Sequence, residues 1–214
     1  MTLPPLYPII DFAFFASKPD PVGAIARYAQ ELVDGGAELI QLRDKSEPAQ
    51  LNRFLSCARE LRHVTGERAM LIINDRVDLC LSAGADGVHL GQDDLSPAAA
   101  RRIFDSISDG KPRIIGYSTH SLDQVRAAQE LPVDYIAIGP VFATSSKANP
   151  DPVVGLEEVR AARGITKKPL VAIGGITRQN CRQVTEAGAD AVAVISDLFE
   201  SPGKAVADFL RVLR

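Results

Sequence analysis

Two short apolar runs in this sequence stop abruptly in acids. Leu71–Ile73 runs into Asn74 and Asp75, and Gly87–Leu90 runs into Gln92, Asp93 and Asp94. If the runs are neighbouring parallel strands, Asp75 and Asp94 arrive at one edge of a sheet. Two carboxylates held close repel each other unless a cation lies between them. Mg2+, a hard ion that takes oxygen ligands and a phosphate partner, suits such a place. The competing assignment is structural: Asp75 caps the helix that follows it and Asp94 pairs with a surface Arg.

Cations converge on the same edge. The run Leu39–Leu42 ends in Arg43, Asp44 and Lys45, and alternation along a strand puts Gln41, Arg43 and Lys45 on one side. Lys147 is a third positive charge. Arg offers phosphate a planar two-pronged contact and Lys a compact point charge. A third unit is Gly174-Gly175 followed by Ile176-Thr177, with Ser196 after the run Ala191–Ile195. Backbone N–H groups in such loops, next to a helix N-terminus, make a phosphate cradle. Cations and a metal on one side and a phosphate cradle on the other indicate two phosphorylated reactants, one of them a pyrophosphate. No Ser-His-Asp or Cys-His arrangement is evident. Lys147 sits in a polar loop, where a Schiff-base role is disfavoured.

These residues need a scaffold that brings many strand ends together. Gly36-Ala37-Glu38, Gly84-Ala85-Asp86 and Gly188-Ala189-Asp190 each precede an apolar run, and Leu131-Pro132-Val133-Asp134 repeats the rhythm. A Gly that ends a helix in the left-handed conformation, then a strand, is a helix-to-strand joint. Eight strands are expected near Leu6–Ile10, Leu39–Arg43, Ala69–Ile73, Gly87–Leu90, Arg113–Tyr117, Tyr135–Ile138, Leu170–Ile173 and Ala191–Ile195. Continuous apolar runs signal parallel strands covered on both faces. Helix starts are expected at Asp20-Pro21, Ser46-Glu47-Pro48, Ser96-Pro97, Ser121 to Asp123 and Ser201-Pro202. The pattern predicts an α/β fold, a single (β/α)8 TIM barrel over residues 1–214. A doubly wound open sheet is the alternative, but no Gly-x-Gly-x-x-Gly turn follows the first strand. The longest loop, Val141–Val154, is expected to be functional or disordered.

With 214 residues, 46% of them hydrophobic, and a formal charge of −3, the chain suits one domain without the basic face a nucleic-acid binder needs. No apolar run approaches the ~18 residues of a membrane span. No leader pattern is visible, so a cytoplasmic location is expected. Cys57, Cys80 and Cys181 are odd in number and far apart, and read as small core residues. His63, His89 and His120 are scattered, with no ligand pair among them.

The motifs together resemble the thiamine phosphate synthase family. They are Gln41-Leu42-Arg43-Asp44-Lys45, Ile73-Asn74-Asp75-Arg76, Gly84 through Asp94, Ser118-Thr119-His120, Gly139-Pro140-Val141-Phe142 and Ala172-Ile173-Gly174-Gly175-Ile176. The resemblance implies a transferase (thiamine-phosphate pyrophosphorylase) that joins 4-amino-2-methyl-5-hydroxymethylpyrimidine pyrophosphate to 4-methyl-5-(2-hydroxyethyl)thiazole phosphate. Pyrophosphate leaves first, assisted by Mg2+, and the thiazole nitrogen attacks the resulting cation. Position by position it implies Asp75 and Asp94 as Mg2+ ligands, and Arg43, Lys45, Asn74 and Lys147 as pyrophosphate contacts. Gln41 and Ser118 fall on the pyrimidine side, and Thr144, Ser146, Gly175, Ile195 and Ser196 at the thiazole phosphate. Arg43, Lys45, Lys147 and Ser118 are the candidate catalytic residues. The implied partners are these small molecules, with no nucleic acid and no membrane; a homo-oligomer is compatible with the sequence.

Three departures stand out. The family's Pro-Thr-x-Thr-Lys is Ala143-Thr144-Ser145-Ser146-Lys147, the family's Thr-Asp-Arg is Ile10-Asp11-Phe12, and Asp197 adds negative charge after Ser196. The rival functions are a thiazole tautomerase, a non-catalytic thiazole phosphate-binding protein, and a generic phosphosugar isomerase or aldolase. Retention of Asn74, Asp75, Asp94, Arg43, Lys45 and Lys147 argues against the first two. The third needs a strand-borne catalytic Lys or Glu, which is not found.

Overall fold

A computed structural model describes residues 2–45, 50–144 and 152–214. Eight parallel strands close into a barrel in sequence order. They are β1 (Leu6–Asp11), β2 (Leu39–Arg43), β3 (Met70–Asn74), β4 (Gly87–Leu90), β5 (Ile114–Thr119), β6 (Tyr135–Ile138), β7 (Leu170–Ile173) and β8 (Ala191–Val194). The helices are α1 (Pro21–Asp34), α2 (Leu51–Thr65), α3 (Val77–Ala83), α4 (Pro97–Asp105), α5 (Leu122–Ala128), α6 (Gly155–Ile165), α7 (Cys181–Glu186) and α8 (Pro202–Leu213). This is the (β/α)8 barrel that the run-and-joint pattern predicts, and the open sheet is excluded.

The apolar runs are continuous because each strand is covered twice. One set of side chains, including Ile10, Leu42, Ile73, Val88, Ile136 and Val192, packs outward against the helices. The other, including Tyr7, Leu39, Ile72, Tyr135, Val171 and Ala191, fills the barrel. Each fully buried Val, Leu or Ile among them contributes about 1.5–3 kcal/mol of transfer free energy. Cys57, Cys80 and Cys181 are buried free thiols, as expected.

The joints work through their acids. Asp86, before β4, accepts the Leu71 N–H of β3 at 2.7 Å and pairs with Arg62 at 2.5 Å. Asp134, before β6, accepts the Ile115 N–H of β5 and pairs with Arg101, both at 2.7 Å. Asp190, before β8, does the same with the Leu170 N–H of β7 and with Arg163, both at 2.7 Å. Each acid satisfies an orphan donor at a strand start, which would otherwise be left unpaired beside the core. Glu38, at the corresponding point before β2, reaches Arg214 at 3.6 Å instead.

Helix starts follow the capping residues at Asp20, Ser96 and Ser121, each of which accepts a first-turn N–H. Ser201 precedes Pro202 without capping, because its φ of 52° turns it away from the cap geometry. The expected start at Ser46-Glu47-Pro48 lies outside the described residues, and α2 begins at Leu51.

Candidate active site

One cavity opens where the C-terminal ends of the strands meet. Gln41, Arg43, Lys45, Asn74, Asp75, Asp94, Ser118, Thr144, Gly175, Ile195 and Ser196 all line it. Every candidate residue within the described segments is therefore brought to one mouth. Ser146 and Lys147 lie outside the described residues.

The acids stand where the strand reading put them. Asp75 sits just past β3 at φ 63°, and its N–H donates to the His89 carbonyl of β4 at 2.7 Å. A left-handed backbone is costly for a residue with a Cβ, and Asp and Asn are among the few that tolerate it. Asp75 caps no helix: α3 starts at Val77 with no side-chain cap bond. Asp94 Oδ2 accepts the Gly91 N–H at 2.7 Å, which turns the loop after β4 back over the mouth. Burial pushes the Asp75 carboxyl up to about 6, and the neighbouring Asp94 adds to the shift while Lys45 opposes it. Lys45 Nζ stands 2.5 Å from Asp75 Oδ2.

Two neighbouring carboxylates with one half-exposed lysine, paired to Asp75, are short of positive charge. A hard divalent ion fits that deficit, and with only two protein carboxylates it would need oxygens from water or a phosphate. Among the described residues no group of three or more acids, histidines or cysteines stands together as a self-sufficient metal cage.

Arg43 is held by a partner to which the sequence reading gave no role. Asp11 lies opposite Arg43 in the β1–β2 register, and the two form an ion pair. The Asp11 side chain is 5% exposed and that of Arg43 17%. Asp11 thus aims the guanidinium along the rim, while its other oxygen accepts the Ala13 N–H at 3.1 Å. Asp197 is likewise resolved: it binds Arg178 through the backbone N–H at 2.8 Å and Nε at 3.0 Å. Its charge is neutralised there, which removes the expected conflict with a phosphate.

On the far side of the mouth, loop six is stitched to loop seven. Val141 N–H donates to Ile173 at 2.8 Å and Phe142 N–H to Gly174 at 3.0 Å. Asn180 then holds the Gly175 carbonyl at 3.0 Å. Gly174 and Gly175 have φ of 103° and 63°, and a Cβ on Gly175 would lie 2.5 Å from the Ala143 carbonyl oxygen. Glycine is therefore required by conformation and by space. Beyond β8, Ser196 opens a single 3-10 turn, Ser196–Leu198, and α8 follows at Pro202, the expected helix start. If the loop cradles the thiazole phosphate that the sequence resemblance implies, Gly175→Ala is expected to weaken its binding roughly tenfold or more, the scale of about 1–3 kcal/mol of backbone strain. Titration of the variant with that ligand measures it, and unchanged affinity would remove Gly175 from the cradle.

Sequence reasoning missed the floor of the cavity. Tyr7, His89 and His120 also line it. His120 Nδ1 lies 2.7 Å from the Gly139 carbonyl oxygen. Gln41 Nε2 donates to Tyr7 Oη at 2.9 Å, Tyr7 Oη meets Tyr135 Oη at 2.9 Å, and Tyr135 Oη meets His89 Nδ1 at 2.9 Å. His89 Nε2 then meets Ser118 Oγ at 2.8 Å. Burial drives His89 down to about 4, so the imidazole is neutral near pH 7. Gly116 makes this possible, since a Cβ there would stand 2.0 Å from the Tyr135 ring.

A closed (β/α)8 barrel with its reactive side chains gathered at the C-terminal strand ends defines a barrel enzyme. Residues 12–198 match the sequence profile described as thiamine monophosphate synthase. The chain is 49% identical over 213 residues to the thiamine-phosphate synthase of Koribacter versatilis, covering 100% of this chain and 97% of that one. It is 35% identical to that of Hydrogenobaculum sp., covering 98% and 93%. Among solved structures, thiamine phosphate pyrophosphorylase from Pyrococcus furiosus superposes with a TM-score of 0.81 at 33% identity, covering 97% and 94%. The chain belongs to the thiamine monophosphate synthase family and is a transferase. Among the described residues no helix is long and apolar enough to cross a membrane.

Proposed function

We propose that the chain, as a single cytoplasmic barrel domain, joins 4-amino-2-methyl-5-hydroxymethylpyrimidine pyrophosphate to 4-methyl-5-(2-hydroxyethyl)thiazole phosphate. The products are thiamine phosphate and pyrophosphate. The observation that carries this reading is the rim of Arg43, Lys45, Asp75 and Asp94. It sets two cations beside a charge-deficient carboxylate pair directly above an uncharged floor. That is an arrangement for holding a polyanionic leaving group.

Mg2+, held by Asp75, Asp94 and the pyrophosphate oxygens, would supply the charge neutralisation that a departing diphosphate needs. Arg43 binds the leaving group along the rim, held in direction by Asp11. Lys45 and Asn74 add a point charge and an amide donor beside it, and Lys147 adds a further charge from loop six. Gln41 and Ser118 orient the pyrimidine. Ile9, Ala137, Val171 and Ala193 line the cavity below and keep water from the cationic carbon. Thr144, Ser146, Gly175, Ile195 and Ser196 place the thiazole phosphate so that the ring nitrogen faces that carbon. Such a substitution asks for leaving-group stabilisation and orientation more than for a base. A neutral His89 and the salt-bridged Lys45 are consistent with that. An isomerase would leave the cationic rim without a task.

The test is direct. Folded protein with both substrates and Mg2+ is expected to form thiamine phosphate and pyrophosphate in equal amounts. Folded protein that yields neither would exclude the reading.

A further inference from the structure

We propose that the buried chain Gln41–Tyr7–Tyr135–His89–Ser118 is a one-directional hydrogen-bond relay that fixes Gln41 as an acceptor and Ser118 as a donor toward the cavity. Through this it makes the site specific for an aminopyrimidine over the oxo ring. The inference rests on the pyrimidine placement proposed above and concerns three residues, Tyr7, Tyr135 and His89, that act through the two contact residues.

Counting protons gives the direction. Gln41 Nε2 donates to Tyr7 Oη, so the Tyr7 hydroxyl has one incoming bond and one proton to place. Tyr7 and Tyr135 are 1% and 0% exposed, and an unplaced phenolic proton there would cost about 1–3 kcal/mol. Neither hydroxyl is among the unpartnered buried atoms of the described residues. With that input every proton finds an acceptor in one arrangement only. Tyr7 donates to Tyr135, Tyr135 donates to His89 Nδ1, and His89 carries its proton on Nε2 and donates to Ser118 Oγ. Ser118, partly exposed at the mouth, keeps its own proton for a ligand.

If His89 instead carried its proton on Nδ1, one of the two phenolic protons would have no acceptor. Only a turned Gln41 amide would restore a full set, with every bond running backwards. That turn would present an N–H2 group toward the rim where Arg43 stands two residues further along the same face. A carbonyl oxygen is favoured beside a guanidinium, and an amide N–H2 is not.

The relay has two readable ends. A ring that carries an exocyclic amine gives Gln41 Oε1 a donor, and a ring nitrogen gives Ser118 an acceptor. A carbonyl in place of the amine sets two acceptors face to face. Sites built to hydrogen-bond a particular group reject analogues that leave a buried polar atom unpaired. Tyr135 is central because it stacks on His89, with ring centroids 5.5 Å apart and an interplanar angle of 20°, as well as bonding to it.

Two measurements test the relay. In 15N-histidine NMR of the wild-type protein near pH 7, with His89→Gln used for assignment, His89 is expected as the neutral Nε2–H tautomer. An Nδ1–H tautomer, an averaged mixture or an imidazolium would overturn the proposal. In the second, binding of the aminopyrimidine alcohol and of its 4-oxo analogue is compared. Wild type is expected to prefer the amine by about 100-fold, and Tyr135→Phe by about tenfold or less, the loss of one buried hydrogen bond's direction. Tyr7→Phe is expected to behave alike and replaces Tyr135→Phe if that variant misfolds. An unchanged preference in a folded variant would reduce the relay to structural support. If wild type binds neither ring, the pyrimidine reading and the specificity fail together, while the tautomer still decides the direction of the chain.

Discussion

Asp75→Asn is expected to make the metal-free protein more stable and the enzyme far less active. The folded Asp75 carboxyl sits at about 6 against an ordinary 3.8. Below the lower value both folded and unfolded chains are protonated there and the site costs nothing. As pH rises toward 6 the unfolded chain releases the proton first, so stability falls through that window and the cost is fully present above it. The shift corresponds to about 3 kcal/mol at most, and partial exposure reduces it to roughly 1–2 kcal/mol. Asn removes the charge beside Asp94 and accepts the backbone φ of 63° without further strain. The melting temperature at pH 8 is therefore expected to rise by several degrees, with little change at pH 4. A gain of equal size at both pH values, or none at pH 8, would contradict the charge account. Turnover at saturating Mg2+ is expected to fall roughly a hundredfold or more, because a metal's stabilisation of developing charge is worth several kcal/mol. Its Mg2+ requirement is expected to increase, and an unchanged Mg2+ dependence would remove Asp75 from the metal site.

Arg43→Ala carries the opposite combination, losing stability and activity together. The guanidinium leaves Asp11 buried and unpaired, and breaking a buried pair from one side costs about 3–5 kcal/mol. The side chain of Arg43 is partly open to solvent, which puts the expected loss near the lower end. Activity is expected to fall by about 10²–10³, the scale seen when one preorganised donor is lost from a charge-stabilising site. The double variant Asp11→Ala with Arg43→Ala separates the effects. It is expected to recover part of the stability, because no uncompensated carboxylate remains, and none of the activity. Denaturant titration alongside single-turnover kinetics checks both. Recovery of activity in the double variant would mean that Arg43 acts only as Asp11's counter-ion.

The barrel was legible because its joints repeat. Gly-Ala-acid before three of the apolar runs, with Leu131–Asp134 repeating the rhythm before a fourth, is a local pattern, and the acids' actual bonds at Asp86, Asp134 and Asp190 explain why it exists. The rim acids and cations were legible for a related reason: a strand that turns polar at its end declares which end faces water. The floor was not legible. Tyr7 and Tyr135 stand 128 positions apart inside apolar runs, where aromatic residues read as core. Only Gly116, a glycine inside a strand, and the inward position of Gln41 hinted at a polar path through the interior. The Asp11–Arg43 pair was missed because Asp11 reads as an interruption of an apolar run until the β1–β2 register sets the two side by side.

The acid joints also divide the barrel into units of unequal construction. β3–β4, β5–β6 and β7–β8 are each fastened at the base by an aspartate that spans the two strands. In β1–β2 the corresponding Glu38 turns to the C-terminal Arg214, and the two strands are joined by an ion pair at the opposite, upper end, between Asp11 and Arg43. Three quarters of the wall thus separate framework from chemistry by the full height of a strand. In the remaining quarter one bond serves as both rivet and tool, so any change of substrate that redraws Arg43 also redraws the seam of the barrel.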